Sequence, residues 1–127
     1  MTVDERSNKG YVYILGVKDI VLPVCKIGMT TRTPLERCAE INNSSTGDFL
    51  WQVTHEVRVD DCRELERITH LKLAPFRQRG REFFGLTPDA AYEALLSILP
   101  MQTGIRRLEP EPGIVPQQTS QTRTRSS

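Results

Sequence analysis

An excess of charge of either sign is missing from this 127-residue chain: 17 basic side chains meet 16 acidic ones, and the formal net charge is +1. A strongly basic nucleic-acid binder would show a larger surplus, so contact with a polyanion must rest on a local patch and stay sensitive to salt. Cysteine is scarce as well. Cys25, Cys38 and Cys62 are far apart and odd in number, which excludes a zinc-ligand spacing and a paired disulfide framework. They read as buried, reduced thiols. No apolar run is long enough to span a bilayer, and the opening MTVDERSNKG has no apolar signal core. The expectation is a soluble, cytoplasmic protein with no membrane partner. No internal repeat is visible. Nothing reads as a helix-turn-helix or a zinc finger, so no separate device for recognising a base sequence is present.

What is there is organised around Gly10 to Arg37, GYVYILGVKDIVLPVCKIGMTTRTPLER. Two short runs rich in β-branched and aromatic residues, Tyr11 to Leu15 and Val24 to Met29, read as strands of a hairpin. Thr33-Pro34-Leu35-Glu36 follows. Thr33 suits an N-cap, Pro34 the first helical position, and Glu36 reaches back to close a capping box. The hairpin therefore feeds a helix that carries Arg37 and ends near Asn42. On that helix Leu35, Cys38 and Ala39 are expected to share the buried face.

Leu50 to Val59 alternates with period two and reads as a half-buried strand, with Trp51, Val53, His55, Val57 and Val59 on one side. His55 on that face is read as a satisfied core or edge histidine. Asp60 or Asp61 caps a second helix running to about Phe76. Leu65, Ile68 and Leu71 line its buried side, while Glu66, His70 and Leu73 share another face. A basic loop, Arg77-Gln78-Arg79-Gly80-Arg81, precedes the apolar pair Phe83-Phe84. Thr87-Pro88-Asp89 opens a third helix limited by Pro100. Together these give an α+β fold: a small, mainly antiparallel three-stranded sheet flanked by three helices, over residues 9–100. Residues 101–127, rich in Pro, Gln, Thr, Ser and Arg, read as a disordered tail.

The order of these elements resembles the GIY-YIG nucleases. Tyr11-Val12-Tyr13 stands where that family has its first tripeptide, with Tyr13 in the place of its tyrosine, and Lys26-Ile27-Gly28 stands for the second. Arg37 matches the arginine of the first helix and Glu66 the glutamate of a later one. The resemblance covers roughly Lys9 to Leu99. It is strongest to a compact branch from phages, bacteria and fungi, through KIG in the second motif, a Glu-x-x-x-His helix and Arg81-Glu82-Phe83-Phe84. The chain departs from the wider family in having Tyr11 for the first glycine, Lys26 for the second tyrosine, and no counterpart of the asparagine that closes the site.

The resemblance implies a metal-dependent endonuclease that hydrolyses DNA phosphodiester bonds; RNA is not excluded. The catalytic set would be Tyr13, Lys26, Arg37 and Glu66. Hydrolysis needs an activated water, charge stabilisation on the phosphoryl oxygens and help for the departing oxygen. Tyr13 as phenolate would take a proton from the water, which requires a positive neighbour because a free phenol titrates near ~10. Lys26 could be that neighbour or could touch the phosphate itself. Arg37 would grip the non-bridging oxygens with its planar fork. Glu66 would ligate one Mg²⁺, or Mn²⁺ in its place. His70, Arg77, Arg79 and Arg81 are expected to contact nucleic acid, and Gly28 to be structural, easing a turn or a phosphate's approach to the backbone. The competing reading is a module that keeps the fold and binds nucleic acid without efficient catalysis.

Overall fold

The computed structural model describes residues 8–44, 49–78, 82–99 and 103–109. Five strands form one antiparallel sheet: β1 (Gly10–Val17), β2 (Cys25–Thr30), β3 (Trp51–Val59), β4 (Phe83–Phe84) and β5 (Arg107–Leu108), in the order β4-β2-β1-β3-β5. The α+β class stands. Two short edge strands widen the sheet beyond the three that alternation alone marks. β5 comes from the stretch after Pro100, where Leu108 pairs with Arg58 and Arg107 with Val59; residues 110–127 lie outside the described residues.

β1 is central and buried on both faces, which explains its unbroken apolar run. One face carries Val12, Ile14, Cys25, Ile27, Val57 and Val59. It is covered by α2 (Cys62–Lys72), through Cys62, Leu65 and Thr69, and by α3 (Pro88–Ile98), through Ala91, Leu95 and Ile98. The opposite face carries Tyr13, Leu15 and Trp51, and is covered by α1 (Pro34–Ser44) through Pro34 and Cys38. The caps form as the sequence predicts. Glu36 N–H donates to Thr33 Oγ1 and Thr33 N–H donates back to Glu36 Oε1, each at 3.2 Å. Asp61 accepts from Glu64 N–H at 3.2 Å and Thr87 from Ala90 N–H at 3.2 Å.

Three expectations are corrected. Leu35 is 73% exposed and Ala39 is exposed as well, because the buried stripe of α1 runs through Pro34 and Cys38 instead. Leu71 is 62% exposed, and Leu73, just beyond the helix, takes the buried place. The single apolar side of β3 is in fact split. Ile14 pairs with His55 but Leu15 pairs with Val53, so Thr54 is an extra residue in a β-bulge. The bulge turns Trp51 and Val53 toward α1 and leaves Val57 and Val59 facing α2 and α3. Thr54 Oγ1 donates to Ile14 O at 2.9 Å and fixes the irregularity. His55, as expected, is satisfied: its Nε2 lies 2.8 Å from Asp89 Oδ1 and its ring stacks on Tyr92 at 4.2 Å.

Candidate functional site

Antiparallel pairing sets Tyr13 directly opposite Gly28. Cross-strand partners share a face, so the phenol projects over a position that has no side chain. A Cβ at residue 28 would stand 2.5 Å from the Tyr13 hydroxyl oxygen and 3.0 Å from Glu82 Oε1. Gly28 lies in mid-strand and makes no turn there; its role is to leave room for the phenol and the carboxylate. Glu82 is brought to this place by β4. Its carbonyl accepts from Ile27 N–H at 3.0 Å, just before Phe83 and Phe84 pair with Lys26 and Cys25.

Arg37, on the first turns of α1, lies near enough to the Tyr13 hydroxyl for its guanidinium to oppose the rise of the phenol. The same guanidinium donates to Glu40 at 3.2 Å, and Glu40 also accepts two bonds from Arg32 at 2.7 and 2.8 Å. The paired arginines hold the Glu40 carboxyl down at about 2. Arg37 is thus oriented from behind while its fork lies near the phenol. Glu66 arrives from α2 on the other side of the sheet, close enough for its charge to act on Tyr13 and Glu82.

The electrostatics of the group are unfavourable as it stands. Burial pushes the Tyr13 phenol up to about 12; the Glu82 carboxylate adds to the rise, and Arg37 opposes it. Burial also raises the Glu66 carboxyl; His70 opposes this and Glu82 reinforces it, with Arg63 and Arg77 again opposing. Burial, more than the balance of neighbouring charges, therefore holds the Tyr13 phenol and the Glu66 carboxyl toward their protonated forms.

Tyr13, Arg37 and Glu66 are brought together. The Lys26 ammonium lies 5.4 Å from the Trp51 ring centroid and 5.6 Å from that of Phe83, and the cation whose charge acts on the Tyr13 phenol is Arg37. His70 places Nε2 2.8 Å from the Ile27 carbonyl and tilts its ring on Phe84 at 5.1 Å, so it pins α2 to β2. Arg77 sits over Phe84 at 5.3 Å with its charge felt at Glu66. Arg79 and Arg81 lie outside the described residues. Glu82 is the member that sequence reasoning does not place in the site. Its signal is the Arg81-Glu82-Phe83-Phe84 segment that carries part of the resemblance, and nothing local says that Phe83-Phe84 pairs with β2.

A divalent cation can be tested against this donor set. Among the described residues no three His, Cys, Asp or Glu side chains converge as ligands. Glu66 and Glu82 supply two carboxylates in mutual repulsion, and Mg²⁺ characteristically takes one or two carboxylates and completes its shell with water and substrate phosphate. The residues fit such an ion.

Fold and site together define a small α+β domain with an Arg-assisted tyrosine and two carboxylates gathered at one place in the sheet. The T5orf172 domain profile matches residues 10–99, and the chain belongs to that family, a phage-associated domain found in nuclease-related proteins of the GIY-YIG/HNH-like kind. No curated protein and no solved structure matches the chain. Among the described residues no helix is long and apolar enough to cross a membrane.

Proposed function

We propose that the chain is a metal-dependent endonuclease of the GIY-YIG type acting on DNA. The observation that carries this reading is that Tyr13 and Glu82 meet over the side-chain-free position Gly28, with Arg37 and Glu66 near enough for their charges to act on the phenol. The Arg37 fork binds the non-bridging oxygens of the phosphate, in its place near the phenol, and Glu40 keeps it oriented. Tyr13, once its own proton has passed to solvent with the cation bound, acts as phenolate and receives the proton of the attacking water. Gly28 lets the phosphate and the phenol come close to the backbone of β2. Glu66 and Glu82 would hold the Mg²⁺, which would supply charge stabilisation at the departing oxygen and offset the carboxylate charge that adds to the effect of burial on the phenol. The test is nicking of plasmid DNA with Mg²⁺ or Mn²⁺ by the wild type, Tyr13→Phe and Glu66→Ala. Cleavage by the wild type alone supports the reading, and equal cleavage by all three removes the site assignment.

A second reading has its own support. A phenol pushed up to about 12 is a poor base in the uncomplexed protein, which favours a module that binds nucleic acid without cutting it. Metal-independent binding with a steep salt slope, and no cleavage of duplex, branched or single-stranded substrates, is the outcome this reading expects.

A further inference from the structure

Lys26 lies on the same face as Gly28, two residues earlier on β2, opposite Leu15 where Gly28 is opposite Tyr13. At ~3.3 Å of rise per strand residue, the two positions are about 6.6 Å apart, roughly one phosphate step along a nucleic-acid strand. The Lys26 ammonium is already placed. It rests over the rings of Trp51 and Phe83, and these rings meet edge-on at 5.7 Å. Trp51 is fixed in turn. Its N–H donates to Asn42 Oδ1 and its carbonyl accepts from Asn42 Nδ2, both at 2.9 Å, and Phe49 abuts its ring at 5.7 Å. A lysine on a free stem loses rotamer freedom when it grips an anion; one held against two braced rings has lost much of it beforehand. Beside it, Leu50 is 54% exposed and Phe49 36%, an apolar shelf of the sort that packs against sugars and bases.

We propose that Lys26 engages the phosphate adjacent to the one that Arg37 and Tyr13 address, with the exposed Phe49–Leu50 shelf under that neighbouring nucleotide. Lys26 is then a positioning residue for the polymer strand rather than the group that activates Tyr13. The inference rests on the hydrolase reading above, and its test separates the two.

The full chain is assayed with Mg²⁺ or Mn²⁺ on oligodeoxynucleotides that carry one neutral methylphosphonate on either side of the cleaved bond. A single-phosphodiester substrate, the p-nitrophenyl ester of thymidine 5′-monophosphate, runs in parallel. The wild type should slow about tenfold when one particular neighbour is neutral. Lys26→Met should be slower on the natural strand by a similar factor and show no further loss on that analogue, while Lys26→Arg keeps most of the rate. The Lys26→Met loss should be several-fold smaller on the single-phosphate ester. Equal losses on ester and strand, or undiminished sensitivity of Lys26→Met to the methylphosphonate, overturn the proposal. If the wild type cleaves nothing, the hydrolase reading fails on its own. Anisotropy binding then decides for Lys26: a salt slope smaller by about one in Lys26→Met upholds the contact, and an unchanged slope removes it.

Discussion

The Tyr13 hydroxyl fills the space in which a side chain on its cross-strand partner Gly28 would stand, 2.5 Å from the point a Cβ would occupy. The ring carbon bearing that hydroxyl is 2.8 Å from the same point. Tyr13 is 1% exposed, so the ring cannot swing outward without opening the face under α1. Gly28→Ala should therefore destabilise the fold by about 1–3 kcal/mol, the range for forcing an extra carbon into a filled core. Thermal denaturation reads the loss. A variant as stable as the wild type would mean that the phenol moves aside freely, and the site would lose its fixed geometry.

Tyr13→Phe keeps the ring and removes the hydroxyl. Cleavage should fall at least a hundredfold, as expected for a lost proton acceptor. Stability gives an independent readout. The folded phenol titrates at about 12 against the ordinary 10.0. A folded pKa above the unfolded one means that the folded state holds its proton longer. The stabilisation is fully present below pH 10 and is lost as pH rises from 10 toward 12. Over that window the wild type should lose on the order of 2 kcal/mol more than Tyr13→Phe. Parallel denaturation curves for the two proteins between pH 9 and 12 would show that the phenol is not held neutral by its surroundings.

Much of this arrangement was legible in the chain. Hairpin, capping box and both later N-caps are local signals, and local signals survive folding. Tyr13, Arg37 and Glu66 stood out through the resemblance to the GIY-YIG nucleases, matched residue by residue along these elements. The bulge was not legible, because period two continues through Gln52-Val53-Thr54-His55 with no glycine or proline to mark the slip. Leu35 misled for a related reason: a leucine at helical spacing from Cys38 invites burial, yet α1 is rotated so that Pro34 carries the contact. Glu82 was invisible as a site member because its position depends on the two-residue strand β4, too short for any periodicity.

The bulge makes its own prediction. Thr54 Oγ1 bonds the Ile14 carbonyl at the point where the register shifts. Thr54→Val is close in shape but leaves that carbonyl without its side-chain donor. It should cost about 1 kcal/mol, the usual net value of one intramolecular hydrogen bond. Thr54→Ser keeps the donor and should recover most of the loss in the same urea titration. If valine and serine behave alike, the bulge is held by packing of Trp51 and Val53 alone.

Glu66 should behave as a group whose usefulness opposes the stability of the metal-free fold. Burial and the Glu82 charge raise the Glu66 carboxyl above its ordinary 4.5, against the pull of His70, Arg63 and Arg77. A folded pKa above the unfolded one means that the favourable contribution exists below 4.5 and is lost as pH rises through the folded value. At neutral pH without metal, ionised Glu66 is therefore a liability. Glu66→Gln should melt a few degrees higher than the wild type in chelator-treated buffer at pH 7, the reward typical of relieving a strained functional site. Near pH 4 the advantage should shrink toward zero, because the wild-type carboxyl is then protonated too. Adding Mg²⁺ should reverse the order: the wild type gains stability by binding the ion in its folded state, and the glutamine variant gains little. A glutamine variant less stable than the wild type at pH 7 without metal would instead assign Glu66 to a structural ion pair with Arg63 or Arg77, and the cation would lose its principal ligand.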